Sequence, residues 1–574
     1  MKFRNFIRTM VVAGAAAIMS VTAFGASAQT TNVEYLQAQP LTHELKGVQL
    51  QPVQSGKLRV PTITWPGDVS TIHTDLEGFF KQEGLDVELF NENDFAKQVK
   101  GVVEGETPIL RGTIGMINAA SEVFAERGTD LVVVYQLTWS NGGDVLVVRQ
   151  GTNNLPGMKG KTFVLQLYGP HMDLATTAVK RGNLSSGDVT LKWVKELTIP
   201  TYDTKGKVVD PYSALAADPS IDGVFVISPD AAALTSGGAE GVAGSKSLFS
   251  TKSASRVIAD VYAIRGDWFD ANKAEAQKFV HALMTGQQSF DALKNNPGAD
   301  KAKWDALMKA SGQLLFGSEL AAGDAEGALV DAEWVGFEGN VAFFTGQGTS
   351  RNLTVLSSEI QSSFIDLGLM TKTTAIRNAN WDYNQLAQGL TGVNVAALPK
   401  PAFDANRVQA HVETQIATEL DTWQEEGSLY VFEIYFAPRQ DTFTVAEFAD
   451  NFKQVMELSE TFAGALMVIE GHNSPDALNK ARREGKSATV VSTIEQAAKN
   501  LSLQRSQAVR AAFLEYAKQQ GINIDESQFV AVGMGVKDPK FQIPATKDEW
   551  NQNRRVVFRV KAIETELDEF VPLQ

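Results

Sequence analysis

The sequence has 574 residues, no cysteine, and a formal net charge of −15 at pH 7. The lack of cysteine excludes disulfides, thiolate metal ligands, a cysteine nucleophile and a lipidated cysteine. The acidic charge disfavours nucleic acid and anionic lipid as partners, and the length predicts two to four domains.

The first 28 residues have the three parts of a secretory signal peptide. Lys2, Arg4 and Arg8 form a basic start, residues 10–24 are apolar, and residues 26–28 are Ala-Ser-Ala. An apolar run of about 15 residues is too short to cross a hydrocarbon core of roughly 30 Å as a helix, which disfavours a membrane anchor. We expect cleavage after Ala28 and export to the periplasm. No later stretch approaches the length of a membrane span, so we do not expect an integral membrane protein after cleavage.

Residues 29–56 are polar and lack sustained periodicity, so we interpret them as a lead-in segment. From Leu58, short apolar strands alternate with helical patterns, which predicts an α/β fold with two lobes of parallel sheet covered by helices. We assign residues 57–395 to these lobes: lobe 1 takes about 57–145 and 262–395, and lobe 2 takes about 150–260. Segments 144–148 and 260–265 are the expected crossings between lobes. A strand is predicted at 340–344.

A change of pattern near Pro399 and Pro401 marks the end of the two lobes. We assign the polar residues 396–426 to a linker and residues 427–574 to a separate α+β domain. In that domain, strands are predicted at 429–436, 466–470, 529–532 and 556–560, and helices at 445–458 and 503–518.

Three motifs follow one another in this last domain: Glu-Gly-His-Asn at 470–473, Leu-Ser-Leu-Gln-Arg-Ser-Gln-Ala-Val at 501–509, and Asn-Arg-Arg-Val at 553–556. Together they resemble the OmpA-like peptidoglycan-associated domain over about residues 428–562. The resemblance implies binding of cell-wall peptide stems through an aspartate in the first motif and an arginine in the second. Arg505 matches the arginine, whose planar guanidinium suits a bidentate carboxylate contact. Ser474 stands at the aspartate position, and Asp476 is the nearest substitute.

The peptidoglycan-binding candidates are therefore Arg505, Asn473, Ser474, Asp476 and Arg554. For Arg555 we favour surface salt bridges, and for Asn553 a structural cap.

The two lobes have their own motifs: Trp-Pro-Gly at 65–67, Glu-Gly-Phe-Phe-Lys-Gln-Glu-Gly-Leu-Asp-Val at 77–87, and Gly-Met-Lys-Gly-Lys-Thr at 157–162. Over about residues 57–290 these resemble the sulfonate, taurine and nitrate binding proteins of ABC importers and the related thiamine-precursor proteins. The resemblance implies a type II periplasmic-binding-protein clamshell with its ligand in the cleft between the lobes.

Strand ends and helix N-termini meet in such a cleft, where free N–H groups and the helix dipole favour an anionic or polar group. Each aromatic candidate has a core position as its alternative, and Asp230 is better explained as a helix-dipole acid. The ligand-binding candidates are Trp65, Gly67, Asp68, Gly112, Thr113, Trp139, Ser140, Asn141, Tyr168, Gly169, His171 and Ser228.

Catalytic and metal-binding motifs are missing from the sequence. The histidines have no H-x-x-x-H spacing, residues 241–247 lack the spacing of a phosphate loop, and there is no G-x-S-x-G elbow. We expect no metal and no cofactor, and we expect a binding protein rather than an enzyme.

The sequence thus predicts a periplasmic protein that binds a small polar or anionic solute for an ABC importer, with the inner-membrane permease as partner, and that attaches to peptidoglycan through its OmpA-like domain. The alternative is a wall-bound envelope sensor or organising protein without a transport role. An enzyme on the same fold ranks third.

Overall fold

The computed structural model describes residues 33–198, 206–238, 241–393, 403–425, 427–435 and 448–563. The predicted signal peptide and the Pro399 and Pro401 part of the predicted linker lie outside these residues. Within them, no helix is both long enough and apolar enough to cross a bilayer.

Residues 58–386 form the two lobes, and strands alternate with helices as the sequence predicts. The predicted parallel sheets are wrong, because the strands that enter each lobe from a crossing, Asp144–Val148 and Ala259–Arg265, run antiparallel to both neighbours and make each sheet mixed. The strands are β1 (Leu58–Thr62), β2 (Val87–Asn91), β3 (Ile109–Thr113), β4 (Leu131–Ser140), β5 (Asp144–Val148), β6 (Thr162–Gln166), β7 (Thr190–Val194), β8 (Gly223–Ile227), β9 (Lys246–Ser250), β10 (Ala259–Arg265), β11 (Ala332–Trp334) and β12 (Ile376–Asn378). The helices are α1 (Val69–Leu76), α2 (Phe79–Gln82), α3 (Phe95–Val103), α4 (Ile114–Ala125), α5 (His171–Arg181), α6 (Pro211–Ala217), α7 (Ser228–Leu234), α8 (Gly266–Ala271), α9 (Lys273–Asn295), α10 (Lys301–Phe316), α11 (Ala322–Ala328), α12 (Gly336–Thr345), α13 (Leu353–Asp366) and α14 (Tyr383–Leu386).

Lobe 1 is built on the strand order β11-β4-β10-β3, with β12 also paired to β4 and the parallel pair β1-β2 beside β3. Its central strand β4 is buried along all ten residues, which explains its almost continuous apolar sequence. Lobe 2 has the strand order β7-β6-β8-β5-β9. The chain crosses between lobes at 141–143, from β4 to β5, and at 251–258, from β9 to β10. The segments predicted as crossings, 144–148 and 260–265, are instead strands of the lobe that each crossing enters.

The strand predicted at 340–344 is wrong, because these residues lie in helix α12. Phe337, Asn340, Val341 and Phe344 are buried at helical spacing, and the short apolar run hid this period. The Asn340 side chain bonds both backbone groups of Gln136, with its Oδ1 accepting at 2.8 Å and its Nδ2 donating at 2.9 Å. A polar residue therefore ties this helix to β4.

The C-terminal region forms a four-stranded sheet in the order β13-β16-β14-β15 with helices packed on it. Its elements are α15 (Ala405–Thr418), α16 (Leu420–Glu425), β13 (Ser428–Tyr435), α17 (Ala449–Thr461), β14 (Leu466–His472), α18 (Asp476–Arg483), α19 (Ala488–Gln519), β15 (Phe529–Gly535), α20 (Lys547–Gln552) and β16 (Arg555–Lys561). The stretch predicted as a linker contains α15 and α16. Val408, Val412 and Ile416 of α15 join the apolar cluster of β14 and β15, so these residues belong to the C-terminal fold.

Helix α19 begins at Ala488, well before the predicted start at 503. The Ser487 hydroxyl accepts from the Val490 N–H and caps the helix. Residues 488–500 are largely exposed, and their apolar residues Val490, Val491, Ile494, Ala497 and Ala498 recur at helical spacing, so the sequence carried a signal for this part of the helix that the prediction did not use.

The lead-in segment and the C-terminal domain both pack on the lobes. Backbone bridges pair Val33 with Val208 and Leu36 with Trp193 of lobe 2, and the N–H of Gln51 donates to Val103 of lobe 1 at 2.8 Å. The lead-in segment therefore extends from one lobe to the other.

The C-terminal domain contacts lobe 2 and the second crossing. The N–H of Leu155 donates to the Leu429 carbonyl at 3.0 Å, and the N–H of Gly464 donates to the Ser253 carbonyl at 3.1 Å. Phe249 and Phe462 pack edge to face with ring centroids 5.9 Å apart. This domain is docked on the clamshell.

Candidate functional site

The interlobe cleft has a buried ion-pair network at its base in lobe 1. Arg111 lies near the end of β3, and its Nε donates to Asp68 at 3.0 Å while its Nη1 donates to Asp260 at 2.8 Å. All three side chains are at most 3% exposed. Although burial lowers the pKa of Arg111, the carboxylates of Asp68 and Asp260 raise it overall, so the guanidinium stays charged.

Trp65 extends this network toward the crossing. Its indole N–H donates to the Thr138 hydroxyl at 3.1 Å, and that hydroxyl donates to Asp260 at 3.0 Å. A Cβ on Gly143 would lie 2.7 Å from the Trp65 ring, and one on Gly67 would lie 2.8 Å from both Trp65 and Thr138. Both glycines allow the indole to pack against the crossing.

The first crossing carries a second polar cluster. Ser140 donates to Asp144 at 2.6 Å, and its hydroxyl is 2.7 Å from that of Thr251 on the other crossing. His171, at the start of α5, is fully buried, with Nε2 2.9 Å from an Asp144 oxygen. The two crossings and lobe 2 are thus joined by polar side chains.

Several contacts join the lobes directly. Lys180 and Arg181 of α5 form ion pairs with Glu359 of α13 in lobe 1 at 2.9 and 3.2 Å, and two further contacts involve carboxylates of the cleft. Asp173 of α5 accepts from the Gly115 N–H, in the first turn of α4, at 3.2 Å. Ser228, at the start of α7, donates to Asp331 from lobe 1 at 3.1 Å. Burial raises the pKa of Asp173 to about 7 and that of Asp331 to about 6. The structure is therefore a closed clamshell with carboxylates at both closing contacts.

Several predicted ligand residues have other partners. The Tyr168 hydroxyl donates to the Gln39 carbonyl of the lead-in segment at 2.7 Å. Trp139 packs edge to face on Phe343 in the core, with centroids 5.9 Å apart. Thr113 caps α4 by accepting from the Met116 N–H.

The remaining candidates, Asn141, Gly112 and Gly169, lie beside the cleft and contribute backbone contacts or close packing. Asn141 holds the crossing through its backbone, since its N–H donates to the Asp331 carbonyl at 2.8 Å. Gly112 packs against Phe95, and Gly169 packs against Gln166.

Sequence reasoning missed Arg111, Asp144, Asp173, Asp260 and Asp331. One signal was available: Arg111 and Asp260 are charged residues inside otherwise apolar strands, and a buried charge needs a partner. Asp173 and Asp331 had no such signal, because Asp173 is an ordinary first-turn acid of α5 and Asp331 lies in the short 3₁₀ turn Leu329–Asp331 before β11.

In the C-terminal domain, Arg505 is partly buried and its Nη1 has no hydrogen-bond partner among the described residues. Burial lowers its pKa, and the nearby Arg554 lowers it further. Ser474 donates to Asp476 at 2.8 Å, and the Asn473 side chain accepts from the Ser474 N–H at 3.0 Å. Ser474 and Asp476 thus form a hydrogen-bonded pair directly after β14.

The other arginine of the third motif is structural. Arg555 forms the predicted salt bridges, with Asp538 at 2.8 Å and with Glu433 at 3.0 Å, but the arginine itself is 4% exposed rather than at the surface. Its register on β16 beside β13 and β14 buries it. Asn553 bonds the backbone N–H and carbonyl of Phe541, which is a structural role.

Residues 72–299 match the family model described as NMT1/THI5 like. This NMT1/THI5-like region holds both crossings, all of lobe 2, and the cleft residues Arg111, Asp144, Asp173 and Asp260. Asp68 and Asp331 lie outside it. No curated protein matches the chain.

The chain is also similar to solved structures, and this similarity covers more of the chain than the NMT1/THI5-like region does. The periplasmic nitrate-binding protein NrtA from Synechocystis is 13% identical, with 59% of this chain and 90% of that chain covered and a TM-score of 0.41. The periplasmic aliphatic sulphonate binding protein SsuA from Escherichia coli is 14% identical, with 56% and 90% covered and a TM-score of 0.37. The desulfurization enzyme DSZB is 12% identical, with 58% and 99% covered and a TM-score of 0.33.

The described residues contain no group of three or more His, Asp or Glu side chains placed to hold a metal ion. The cleft side chains are hydrogen-bond donors, acceptors and carboxylates, which suit the recognition of a polar solute.

Proposed function

We propose that the protein is a periplasmic solute-binding protein that delivers a small polar solute to an ABC importer and attaches to peptidoglycan through an OmpA-like C-terminal domain. The observation that carries the first part is the closed cleft: polar side chains from both lobes and both crossings meet in it, at the strand ends. The NMT1/THI5-like match of residues 72–299 supports the same proposal.

Solute binding is tested by thermal unfolding of the full-length mature protein with a panel of small anions, sulfonates, amides, amines and pyrimidines. A ligand of the closed form should raise the melting temperature by about 2 °C or more at a hundredfold excess over Kd. No shift with any compound would contradict the proposal.

Peptidoglycan attachment is supported by the unpartnered Arg505 guanidinium beside Arg554 and by the Ser474–Asp476 pair. A stem-peptide carboxylate would pair with Arg505, and an ammonium group would pair with Asp476. Co-sedimentation with purified cell wall tests this. Arg505→Ala should weaken retention about tenfold, whereas Arg483→Ala, an exposed arginine on α18, should leave it unchanged. Equal retention of wild type and Arg505→Ala would contradict attachment at this site.

A second candidate function is a wall-bound envelope sensor without a transport role. The docked C-terminal domain favours it, because Gly464 bonds the second crossing at Ser253 and Arg181 of lobe 2 forms an ion pair with Glu457 of α17. Binding at the wall and opening of the cleft would then be mechanically linked. Solute binding with no associated uptake would support this candidate.

A further inference from the structure

The seam between α5 of lobe 2 and α13 of lobe 1 is held by ion pairs that converge on one carboxylate, that of Glu359. Its partners are Lys180 at 2.9 Å, Arg181 at 3.2 Å and Arg351 at 2.8 Å. The two arginines are 6% and 2% exposed, so water and salt screen their charges poorly. The lobes by themselves therefore place three cations against a single carboxylate at this seam.

The two arginines repel each other and keep unused donors. Burial lowers the pKa of Arg351, the Glu359 carboxylate raises it, and the neighbouring Arg181 lowers it again. Nε of Arg181 and Nη2 of Arg351 are buried and have no hydrogen-bond partner within the described residues. Asp173 lines the cavity beside them, but burial raises its pKa to about 7, so it is partly protonated at neutral pH. The seam is therefore short of negative charge.

Helix α17 of the C-terminal domain brings two further carboxylates to this seam. Glu457 forms an ion pair with Nη1 of Arg181. Glu460 accepts from the N–H of Ser350 at 2.7 Å, directly before Arg351, and its charge opposes the effect of burial on the pKa of that arginine. The C-terminal domain therefore supplies the negative charge that balances the three cations of the lobes.

The same domain also holds both lobes through backbone contacts. Gly348 of lobe 1 forms a bridge with Ile522, and the N–H of Asn523 donates to the Gly348 carbonyl at 3.1 Å. In lobe 2, the N–H of Leu155 donates to the Leu429 carbonyl at 3.0 Å. A domain that is bonded to both lobes resists their separation.

We propose that the C-terminal domain is an intramolecular latch that holds the two lobes closed, with Glu457 and Glu460 as the residues that neutralise the seam between α5 and α13. Without these two carboxylates, Arg181 and Arg351 are like charges on opposite lobes, and their repulsion favours the open form. The latch rests on the proposed solute-binding function only in that it controls access to the same cleft. The movement of the lobes can be measured without any solute.

The test is the inter-lobe distance in the full-length mature protein without ligand, from spin labels on Lys81→Cys in lobe 1 and Lys195→Cys in lobe 2. Glu457→Gln combined with Glu460→Gln should shift the ratio of open to closed molecules about tenfold towards open. Each single substitution should give a smaller shift in the same direction.

A matched control removes the same charge elsewhere in the C-terminal domain. Glu515→Gln combined with Glu526→Gln changes two exposed glutamates and should leave the distances as in wild type. A rescue tests the charge argument itself: Lys180→Gln, added to the Glu457→Gln and Glu460→Gln protein, removes one unbalanced cation and should restore part of the closure.

The outcomes separate the latch from solute binding. Unchanged distances in the Glu457→Gln and Glu460→Gln protein would overturn the latch and leave solute binding in place. An equal shift in the control, or no rescue by Lys180→Gln, would overturn the charge balance as the cause of closure. The expected shift and rescue, together with no stabilising compound in the solute panel, would support the latch and contradict solute binding.

Discussion

Arg111 is the residue that holds the base of the cleft together, because it is the shared partner of two buried carboxylates. Arg111→Ala should lower the free energy of unfolding by about 3–5 kcal/mol, since Asp68 and Asp260 would remain buried without a counter-charge. Chemical denaturation measures this change. Arg59→Ala is the matched control: its pairs with Glu88 and Glu106 are half exposed and should contribute about 0–1 kcal/mol. Equal losses for both variants would contradict the network.

Asp173 makes stability depend on pH. Burial raises its pKa to about 7, so the folded protein holds this proton more tightly than the unfolded chain does. The stabilisation is complete below about pH 4 and is lost as the pH rises through 7. Asp331, with a pKa of about 6, acts in the same direction.

Asp173→Asn cannot ionise and keeps an oxygen for the Gly115 N–H. The variant should be more stable than wild type at pH 8, by an amount on the order of a few kcal/mol, and its stability should vary less between pH 5 and 8. Urea midpoints across this range provide the measurement. Parallel pH curves for the two proteins would show that Asp173 is not buried in this way.

At the level of elements, helices α4 and α5 meet across the cleft only because residue 115 is glycine. Gly115→Ala would place a Cβ 1.5 Å from the Asp173 carboxylate, which should destabilise the closed form by about 1–3 kcal/mol and open the lobes. Small-angle scattering should show a larger radius of gyration. Gly323→Ala in α11 has open space for its Cβ and should leave the radius unchanged. A second change, Asp173→Ala, should restore closure of Gly115→Ala.

The order of strands and helices in both lobes and in the C-terminal sheet was predictable, because apolar periodicity and turn residues mark each element. Helix α12 was mistaken for a strand, since a mainly apolar run of five residues is too short to distinguish the helical period of 3.6 from the strand period of 2. The cleft residues were harder to predict from the sequence. Asp68 was found because it follows the first strand, and His171 because it begins a helix of lobe 2. The roles of Asp173 and Asp331 depend on how the lobes close, which one sequence does not encode locally.

At the scale of the whole molecule, three separate segments tie the lobes together besides the crossings. The lead-in segment extends over both lobes, and the C-terminal domain packs on the second crossing. In the third, Glu359 of lobe 1 forms ion pairs with Arg351 of the same lobe and with Arg181 of lobe 2. Opening the cleft therefore requires movement at all of them.

The docked C-terminal domain should unfold together with the lobes. A Cβ on Gly464 would lie 1.8 Å from the Lys252 carbonyl, so Gly464→Val should undock the domain. Calorimetry should then show two transitions where wild type shows one. Gly187→Ala, whose Cβ has open space, is the control and should keep the wild-type profile. Two transitions in wild type would show that the domain is not docked in solution.

The central claim is that the lobes open and close around a solute, and the distance between them tests it most directly. Because the chain has no cysteine, Lys81→Cys in lobe 1 and Lys195→Cys in lobe 2 give two exposed positions for spin labels. Pulsed electron–electron measurements on the full-length mature protein, with and without putrescine, agmatine, acetamidine, nitrate and methanesulfonate, report the inter-lobe distance. We predict a mixture of distances without ligand and a single shorter distance with at least one of these compounds. Identical distance distributions under every condition would contradict the account.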